Sequence, residues 1–388
     1  MLLIKNAVVY TPEPLGSADI LIEGGKILAL APGIRLPALP FPVEILEAEG
    51  LLALPGLVDS HVHILGGGGE GGYATRTPEL KVVDCLRAGV STVVGTLGTD
   101  GLARSMESLV AKAYALRLQG LSCWLYTGSY RVPPATVTGD VMKDIMMVEP
   151  IIGAGELAVS DHRSSRPTIA ELGRIASEAR VGGMLSGKAG IVNFHIGDAP
   201  AALAPLRELV AAEDLPRSQF IPTHCNRNPQ VFAESIEWAR SGGWADLTTS
   251  TVPRFIEEGE VPAAAALRRF RDEGLIGRLT CSSDGQGSLP IFDGQGVLAG
   301  ISVASPASLW QAVREAILSE SVPLEEAART VTSNPARALK LQGKGSLAVG
   351  SDADVLLVSR EGLEISGLVA GGRVVMRGGE LLVRGSFE

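Results

Sequence analysis

The chain has 388 residues, a net charge of −9, 46% apolar residues and 20% charged residues. That length suits one large domain with a smaller companion, and the composition supports a packed core while excluding a disordered or fibrous chain. No Lys/Arg run supplies the clustered cations that nucleic-acid phosphates require. No segment reaches the roughly 18 uninterrupted apolar residues of a membrane span, and Met1-Leu2-Leu3-Ile4 is too short for a signal peptide. The expectation is a cytoplasmic protein with neither nucleic acid nor membrane as partner. Cys85, Cys123, Cys225 and Cys281 show no pairing pattern and read as free, mostly buried thiols.

The first fifty residues read as short strands. Leu2-Leu3-Ile4, Ala7-Val8-Val9-Tyr10, Asp19-Ile20-Leu21-Ile22 and Lys26-Ile27-Leu28-Ala29-Leu30 are β-type runs separated by Asn, Gly and Pro. The chain's end has the same character, with runs at 354–358 and 373–377 and Gly-Gly turns at 371–372 and 378–379. Neither end is long enough to bury a sheet alone, so both are expected to build one small β domain from residues 1–54 and 341–388. In between, apolar runs at 51–63, 90–97, 121–128, 151–159, 190–196, 219–224, 245–250 and 278–283 alternate with helical patterns such as 103–119, 168–179, 201–212, 229–240 and 261–273. Strands alternating with helices imply parallel βα units, and eight of them imply closure. The expected fold class is therefore α/β: a (β/α)8 TIM barrel over 55–340 with a small β-sandwich domain formed from both chain termini.

Chemistry-bearing residues fall at the C-terminal ends of these strands, the rim where barrel enzymes place their sites. His61 and His63 stand two apart, so both imidazoles of a strand face one side and can converge on one metal ion. His195 ends the fifth strand, His224 the sixth and Asp284 the eighth. Each is ordinary singly; together they form a metal-ligand set on one rim. Of the two remaining candidates, His162 reads as a structural or orienting residue, and Lys188 lies at the wrong end of its strand to bridge metals.

This order of His-x-His, His, His and Asp resembles the amidohydrolase superfamily, as does Lys344-Gly345-Ser346-Leu347-Ala348-Val349-Gly350-Ser351-Asp352-Ala353-Asp354. Within it, the blocks His61-Val62-His63-Ile64-Leu65-Gly66-Gly67-Gly68-Gly69-Glu70, Gly98-Thr99-Asp100, Thr127-Gly128-Ser129-Tyr130, Ser160-Asp161-His162-Arg163-Ser164, Thr223-His224-Cys225-Asn226-Arg227-Asn228 and Ser283-Asp284-Gly285-Gln286-Gly287-Ser288 are similar to isoaspartyl dipeptidases. The resemblance implies hydrolysis of the β-aspartyl amide of L-isoaspartyl dipeptides by two divalent metals, most simply Zn2+, through a bridging hydroxide. Cobalt, manganese or nickel would suit the same ligands. It also implies a homo-oligomer.

The family commonly carries a carboxylated lysine at the end of strand four. Here Glu156 stands in that segment, and a shorter carboxylate requires the backbone to come closer, which Gly153 and Gly155 would permit through a bulge. The metal set expected is His61, His63, Glu156, His195, His224 and Asp284, with Asp284 also moving the proton and Tyr130 donating to the developing oxyanion. The resemblance assigns substrate contacts to Gly68, Gly69, Glu70, Thr99, Tyr130, Arg163, Arg227 and Ser288: Glu70 for the ammonium and the two guanidinium forks for carboxylates. The alternatives are another amidohydrolase activity, such as a cyclic amidase or N-acyl amino acid deacylase, and a barrel kept as a scaffold, which would have lost its metal ligands.

Overall fold

The structure is a computed structural model describing residues 1–293, 295 and 298–388. The chain opens with β1 (Leu2–Tyr10), β2 (Pro14–Glu23), β3 (Lys26–Ala31), β4 (Glu44–Glu47) and β5 (Leu51–Pro55). Eight strands of the middle region follow: β6 (Leu57–Val62), β7 (Val90–Gly95), β8 (Ser122–Thr127), β9 (Ile151–Val159), β10 (Ile191–Ile196), β11 (Phe220–Thr223), β12 (Ala245–Thr248) and β13 (Leu279–Ser282). A hairpin of β14 (Ser288–Phe292) and β15 (Leu298–Val303) precedes the closing strands β16 (Val355–Ser359), β17 (Ile365–Ala370), β18 (Arg373–Arg377) and β19 (Glu380–Leu381).

Helices fill the connections. They are α1 (Val82–Arg87), α2 (Met106–Leu118), α3 (Val141–Met147), α4 (Ile169–Ser186), α5 (Ala204–Ala212), α6 (Pro229–Arg240), then α7 (Pro253–Glu257) and α8 (Ala263–Asp272) before β13. After the hairpin come α9 (Ala307–Leu318), α10 (Leu324–Arg329) and α11 (Ser333–Ala338). The helix α4 shows why such segments start where they do: Thr168 and Glu171 form a reciprocal capping box, and Gly187 ends the helix in the left-handed region.

Both termini share one sheet, in the order β19-β18-β17-β16-β5-β1-β2-β3 with β4 alongside β1. It closes on its own core of residues such as Ile4, Val9, Ile20, Ile22, Leu357 and Val369. The Gly-Gly pairs read as turns join β17 to β18 and β18 to β19, with positive φ at all four glycines, the conformation that a two-residue hairpin loop demands. One expectation is corrected here. The run 51–63 is not a single barrel strand: residues 51–55 pair with β1 and β16 in the terminal sheet, whereas 57–62 pair in parallel with β7. Gly56 is the joint. Its N–H bonds to Asp354 O, and a Cβ there would lie 2.4 Å from Ser91 Oγ, so no side chain fits.

The strands β6 to β11 form a parallel sheet in sequence order, and β12 pairs in parallel with β13. Side-chain and backbone contacts link the two groups. Thr223 Oγ1 donates to Asp246 Oδ2 at 2.8 Å and Cys225 N to Asp246 O at 3.0 Å, while Val62 bridges Gly285 in parallel and His63 N donates to Gly285 O at 2.8 Å. The eight strand regions expected from the sequence each contain an observed strand, and all four cysteines are free and buried. No helix among the described residues is long and apolar enough to cross a membrane.

Candidate metal centre and substrate cavity

The parallel strands point their C-terminal ends at one place. His61 and His63 come from β6 and its end, Glu156 from β9, His195 from β10, His224 from just beyond β11 and Asp284 from beyond β13. Glu156 lies at the centre. Its Oε2 is 3.3 Å from His61 Nε2, 3.3 Å from His195 Nδ1 and 3.7 Å from His224 Nε2, and its Oε1 is 3.6 Å from His63 Nε2. Asp284 Oδ1 is 3.0 Å from His63 Nε2 and 3.7 Å from His61 Nε2. All six residues expected as ligands are thus brought together. Among the described residues, His61, His63 and Asp284 form one group with ligand spacing, and His61, Glu156 and His224 another.

The backbone explains how a glutamate reaches this point. Against β10, the register of β9 slips between Ala154 and Leu157, so Gly155 and Glu156 together face Asn193. This is the bulge that the two glycines suggested. Gly155 has φ +144° and a Cβ there would meet Asn193 at 2.8 Å, so the position accepts no side chain. Glu156 N then donates to Thr96 Oγ1 at 3.0 Å, anchoring the displaced residue.

The cluster is short of positive charge. Both Glu156 oxygens, Asp284 Oδ1 and His61 Nε2 are buried without a hydrogen-bond partner, an arrangement that costs free energy unless a cation occupies the space between them. The titration behaviour says the same. Burial pulls the His61 imidazole down, but Glu156, Asp284 and Asp246 outweigh it and raise its pKa to about 9. Burial pushes Asp284 up, yet the His63 contact and the neighbouring imidazoles bring it down to about 2. Glu156, fully buried, is nonetheless held well below the carboxylate range by the surrounding histidines. His224 moves the other way, down to about 3, through burial and the His195 charge. The donor set of imidazoles and ionised carboxylates fits divalent transition ions, a bound cation taking the place of the proton that His61 otherwise holds.

Partners behind the ligands fix their orientation. Asn193 Oδ1 lies 3.2 Å from His61 Nδ1 and Thr248 Oγ1 2.6 Å from His224 Nδ1. Asp161 Oδ2 lies 3.0 Å from His195 Nε2, and the same carboxylate grips Arg163 through Nε at 2.9 Å and Nη2 at 2.8 Å. Asp161 stands in the Ser160–Ser164 block without a local signal for this role, which shows only through its contact with His195. His162, expected to be structural or orienting, has an 89% exposed side chain with Nδ1 3.6 Å from Asp161. Lys188 donates to Ile145 O and Val148 O at the far end of β10, consistent with a structural role.

A cavity of about 800 Å³ opens over the cluster. Of the residues expected to touch substrate, Gly68, Glu70, Thr99, Tyr130, Arg163, Arg227 and Ser288 line it; Gly69 does not. Glu70 Oε1 accepts from Thr99 Oγ1 at 2.9 Å and faces Arg163 Nη1 at 3.3 Å. Arg227 Nη1 lies 3.4 Å from Asp198, and its Nε is buried without a partner. Tyr130 stacks under Arg163 at 5.2 Å, its hydroxyl 2.7 Å from His195 Nδ1; burial and the Glu156 charge keep that hydroxyl protonated far above its usual pKa. No sequence motif marks a further part of the wall, where Phe255, Glu260, Leu289, Pro290 and Ile301 face the cavity. Three of these come from the hairpin β14–β15, whose alternation carries no chemical motif.

The amidohydrolase family model matches residues 307–381. A β-aspartyl dipeptidase from Fervidobacterium islandicum AW-1, solved in complex with the β-Asp-Leu dipeptide, superposes with a TM-score of 0.91 at 46% identity, covering 98% of this chain and 97% of that one. A second structure of β-aspartyl dipeptidase from that organism gives a TM-score of 0.89 at 44% identity, covering 98% of each chain. An allantoinase from Bacillus licheniformis is 24% identical over 92% of this chain and 87% of its own length. The chain therefore belongs to the amidohydrolase superfamily and, within it, to the family of the β-aspartyl dipeptidases.

Proposed function

We propose that this protein is a metal-dependent dipeptidase that hydrolyses the β-aspartyl amide bond of isoaspartyl dipeptides. The observation that carries this reading is the end-to-end similarity to an enzyme holding β-Asp-Leu, combined with a cavity that sets Glu70, Arg163 and Arg227 above the His/Glu/Asp cluster. An isoaspartyl dipeptide presents one ammonium and two carboxylates; among the charged groups of the cavity wall, the Glu70 carboxylate would take the first and the Arg163 and Arg227 guanidinium groups the others.

Two divalent cations, zinc first among the candidates, would be held by His61, His63, His195, His224 and Asp284, with Glu156 between them because its two oxygens face different imidazoles. Bound there, such ions would acidify a water and polarise the scissile carbonyl. The chain's own residues do the rest. Glu70, already fixed by Thr99, exchanges its contact with Arg163 for the substrate ammonium. Arg163, steadied by Asp161, and Arg227, with its free Nε, take the carboxylates. Tyr130 turns its protonated hydroxyl from His195 towards the carbonyl oxygen as negative charge develops there. Asp284, ionised at neutral pH, accepts the proton of the attacking water and passes it to the leaving nitrogen.

The parallel strands close into a (β/α)8 barrel in this reading. The bridge from Val62 to Gly285 and the Asp246 contacts across β11 and β12 support it. A terminal β domain of residues 1–54 and 341–388 would pack beside a barrel of 55–340, since the terminal sheet carries its own core.

The test is hydrolysis of β-Asp-Leu against α-Asp-Leu, with and without added zinc after chelation. Turnover of the β-linked peptide alone, lost on chelation and restored by metal, is expected. Equal turnover of both peptides, or of neither in the metal-loaded protein, overturns the reading.

A further inference from the structure

A second cavity, of about 560 Å³, opens at the opposite ends of the strands that carry the metal cluster. Gly190 and Ile191 at the start of β10, Gln219 before β11, Trp244 before β12 and Arg278 before β13 form its wall. Four cationic side chains line it: Arg180 from α4, Arg278, Arg337 from α11 and Lys340 beyond α11. No Asp or Glu lines it, and among the described residues none of the four forms an ion pair.

The neighbouring surface shows what the ordinary arrangement looks like. On α8, Arg268 faces Glu320 at 3.4 Å, Arg269 faces Glu273 at 2.6 Å and Arg271 faces Glu326 at 3.4 Å. The cavity's cations lack such partners and are nonetheless held close together. Arg278 and Arg337 place their Cζ atoms 5.4 and 5.2 Å from the centroid of the same ring, that of Trp244, which is 4% exposed. Arg337 is fixed further by donating to Gly277 O and, at 3.2 Å, to Asn334 Oδ1. Burial first, and then the charge of Arg278, lowers the pKa of Arg337. Capping of helix ends does not account for the whole set. Lys340 does reach a backbone carbonyl, that of Lys188 at 3.4 Å, but the side chains of Arg180 and Arg278 make no hydrogen bond to any described residue.

The rest of the lining suits an organic body. Met184, Pro216 and Leu275 supply apolar surface, and Gln219, 5% exposed, keeps its Oε1 buried and unpartnered while its amide N–H donates to Ala176 O at 2.6 Å. We propose that this basal cavity is a binding site for a small organic polyanion, whose phosphate or carboxylate groups are received by Arg180, Arg278, Arg337 and Lys340 and whose carbon frame lies on Met184, Pro216 and Leu275. Guanidinium forks bind such oxyanions in pairs, and preorganised like charges with no internal counter-ion gain most from one.

The experiment is titration of the metal-loaded enzyme with pyrophosphate, ribose 5-phosphate and citrate at a buffered, constant free zinc concentration, followed by calorimetry and tryptophan fluorescence, against sodium chloride at matched ionic strength. Saturable binding of one anion per chain is expected, with the phosphate and citrate arms showing which oxyanion is preferred. The double variant Arg278→Gln/Arg337→Gln should weaken binding at least about tenfold, as loss of charge-assisted hydrogen bonds would. Because that variant also unseats Trp244, the exposed pair Arg180→Gln/Lys340→Gln provides the independent arm, with the same direction of effect. Both should leave kcat/KM on β-Asp-Leu unchanged. Binding no stronger than the effect of sodium chloride overturns the proposal. So does binding by both double variants as tight as the parent's, or a change of oligomeric state in the variants with no anion bound by the parent, which would make this face a subunit contact.

Discussion

The terminal sheet and the rim of the parallel strands are built from the same alternation of apolar residues but treat local rules in opposite ways. In the sheet, buried positions are mostly aliphatic, most positive-φ positions are glycines with Asn6 and Leu363 the exceptions, and its buried acid Asp19 is matched, accepting from Asn6 N at 2.9 Å and Ile34 N at 2.8 Å. On the rim, Ser160, His224, Asp284 and Gln286 hold positive φ with side chains that disfavour it, and several buried polar atoms have no partner. At the metal-ligand cluster the two meet: His224 and Asp284 hold positive φ, and both Glu156 oxygens, His61 Nε2 and Asp284 Oδ1 are unpartnered. Stability is stored in the sheet, and binding energy for a cation is stored on the rim.

Substitutions can break this contrast. The largest effect on turnover is expected from Asp284→Asn, which removes the proton acceptor: kcat should fall by about a thousandfold, measured on β-Asp-Leu, with folding unchanged by circular dichroism. Next is Asp161→Asn. This carboxylate holds His195 on one side and Arg163 on the other, so metal affinity should fall about 10- to 100-fold and KM should rise in metal-saturated enzyme. A fall in metal affinity alone would separate the two roles.

The contrast also has a pH signature in chelated protein. His224 titrates at about 3 in the folded state against 6.5 for the ordinary imidazole, so the unfolded chain takes the proton first as pH falls. Its contribution is full above pH 6.5 and lost between 6.5 and about 3. His61, raised to about 9, does the reverse, contributing fully below 6.5 and losing its contribution as pH rises to about 9. Thermal melts of chelated protein across this range should show both slopes, and both should shrink when zinc is restored. The smallest effect on turnover belongs to the sheet. Ile20→Ala, at a position with no exposure, should cost about 2–5 kcal/mol of stability and leave kcat/KM per folded molecule unchanged.

Much of this was legible in the sequence because the relevant signals are local. The alternation of strand and helix patterns, the His61-Val62-His63 spacing and the histidines ending β10 and β11 each depend on a few adjacent residues. What escaped depends on distant ones. The break at Gly56 is invisible to apolar periodicity, because both halves of the 51–63 run are buried, though in different sheets. Asp161 was hidden since its meaning lies in His195, far along the chain. The basal cavity was likewise hidden, as its cations come from three separate segments. Glu156 was readable only as a departure from a family pattern, and the slipped register of β9 is what makes that departure workable.

The most direct test of this account is therefore a metal count on purified protein and on Glu156→Gln, each loaded with zinc in buffer free of bicarbonate. Two ions per chain in the parent, falling to one or none in the variant with loss of turnover, is the predicted result, since a glutamate needs no carbon dioxide to bridge two cations. One ion per chain in the parent, unchanged in the variant, would contradict it.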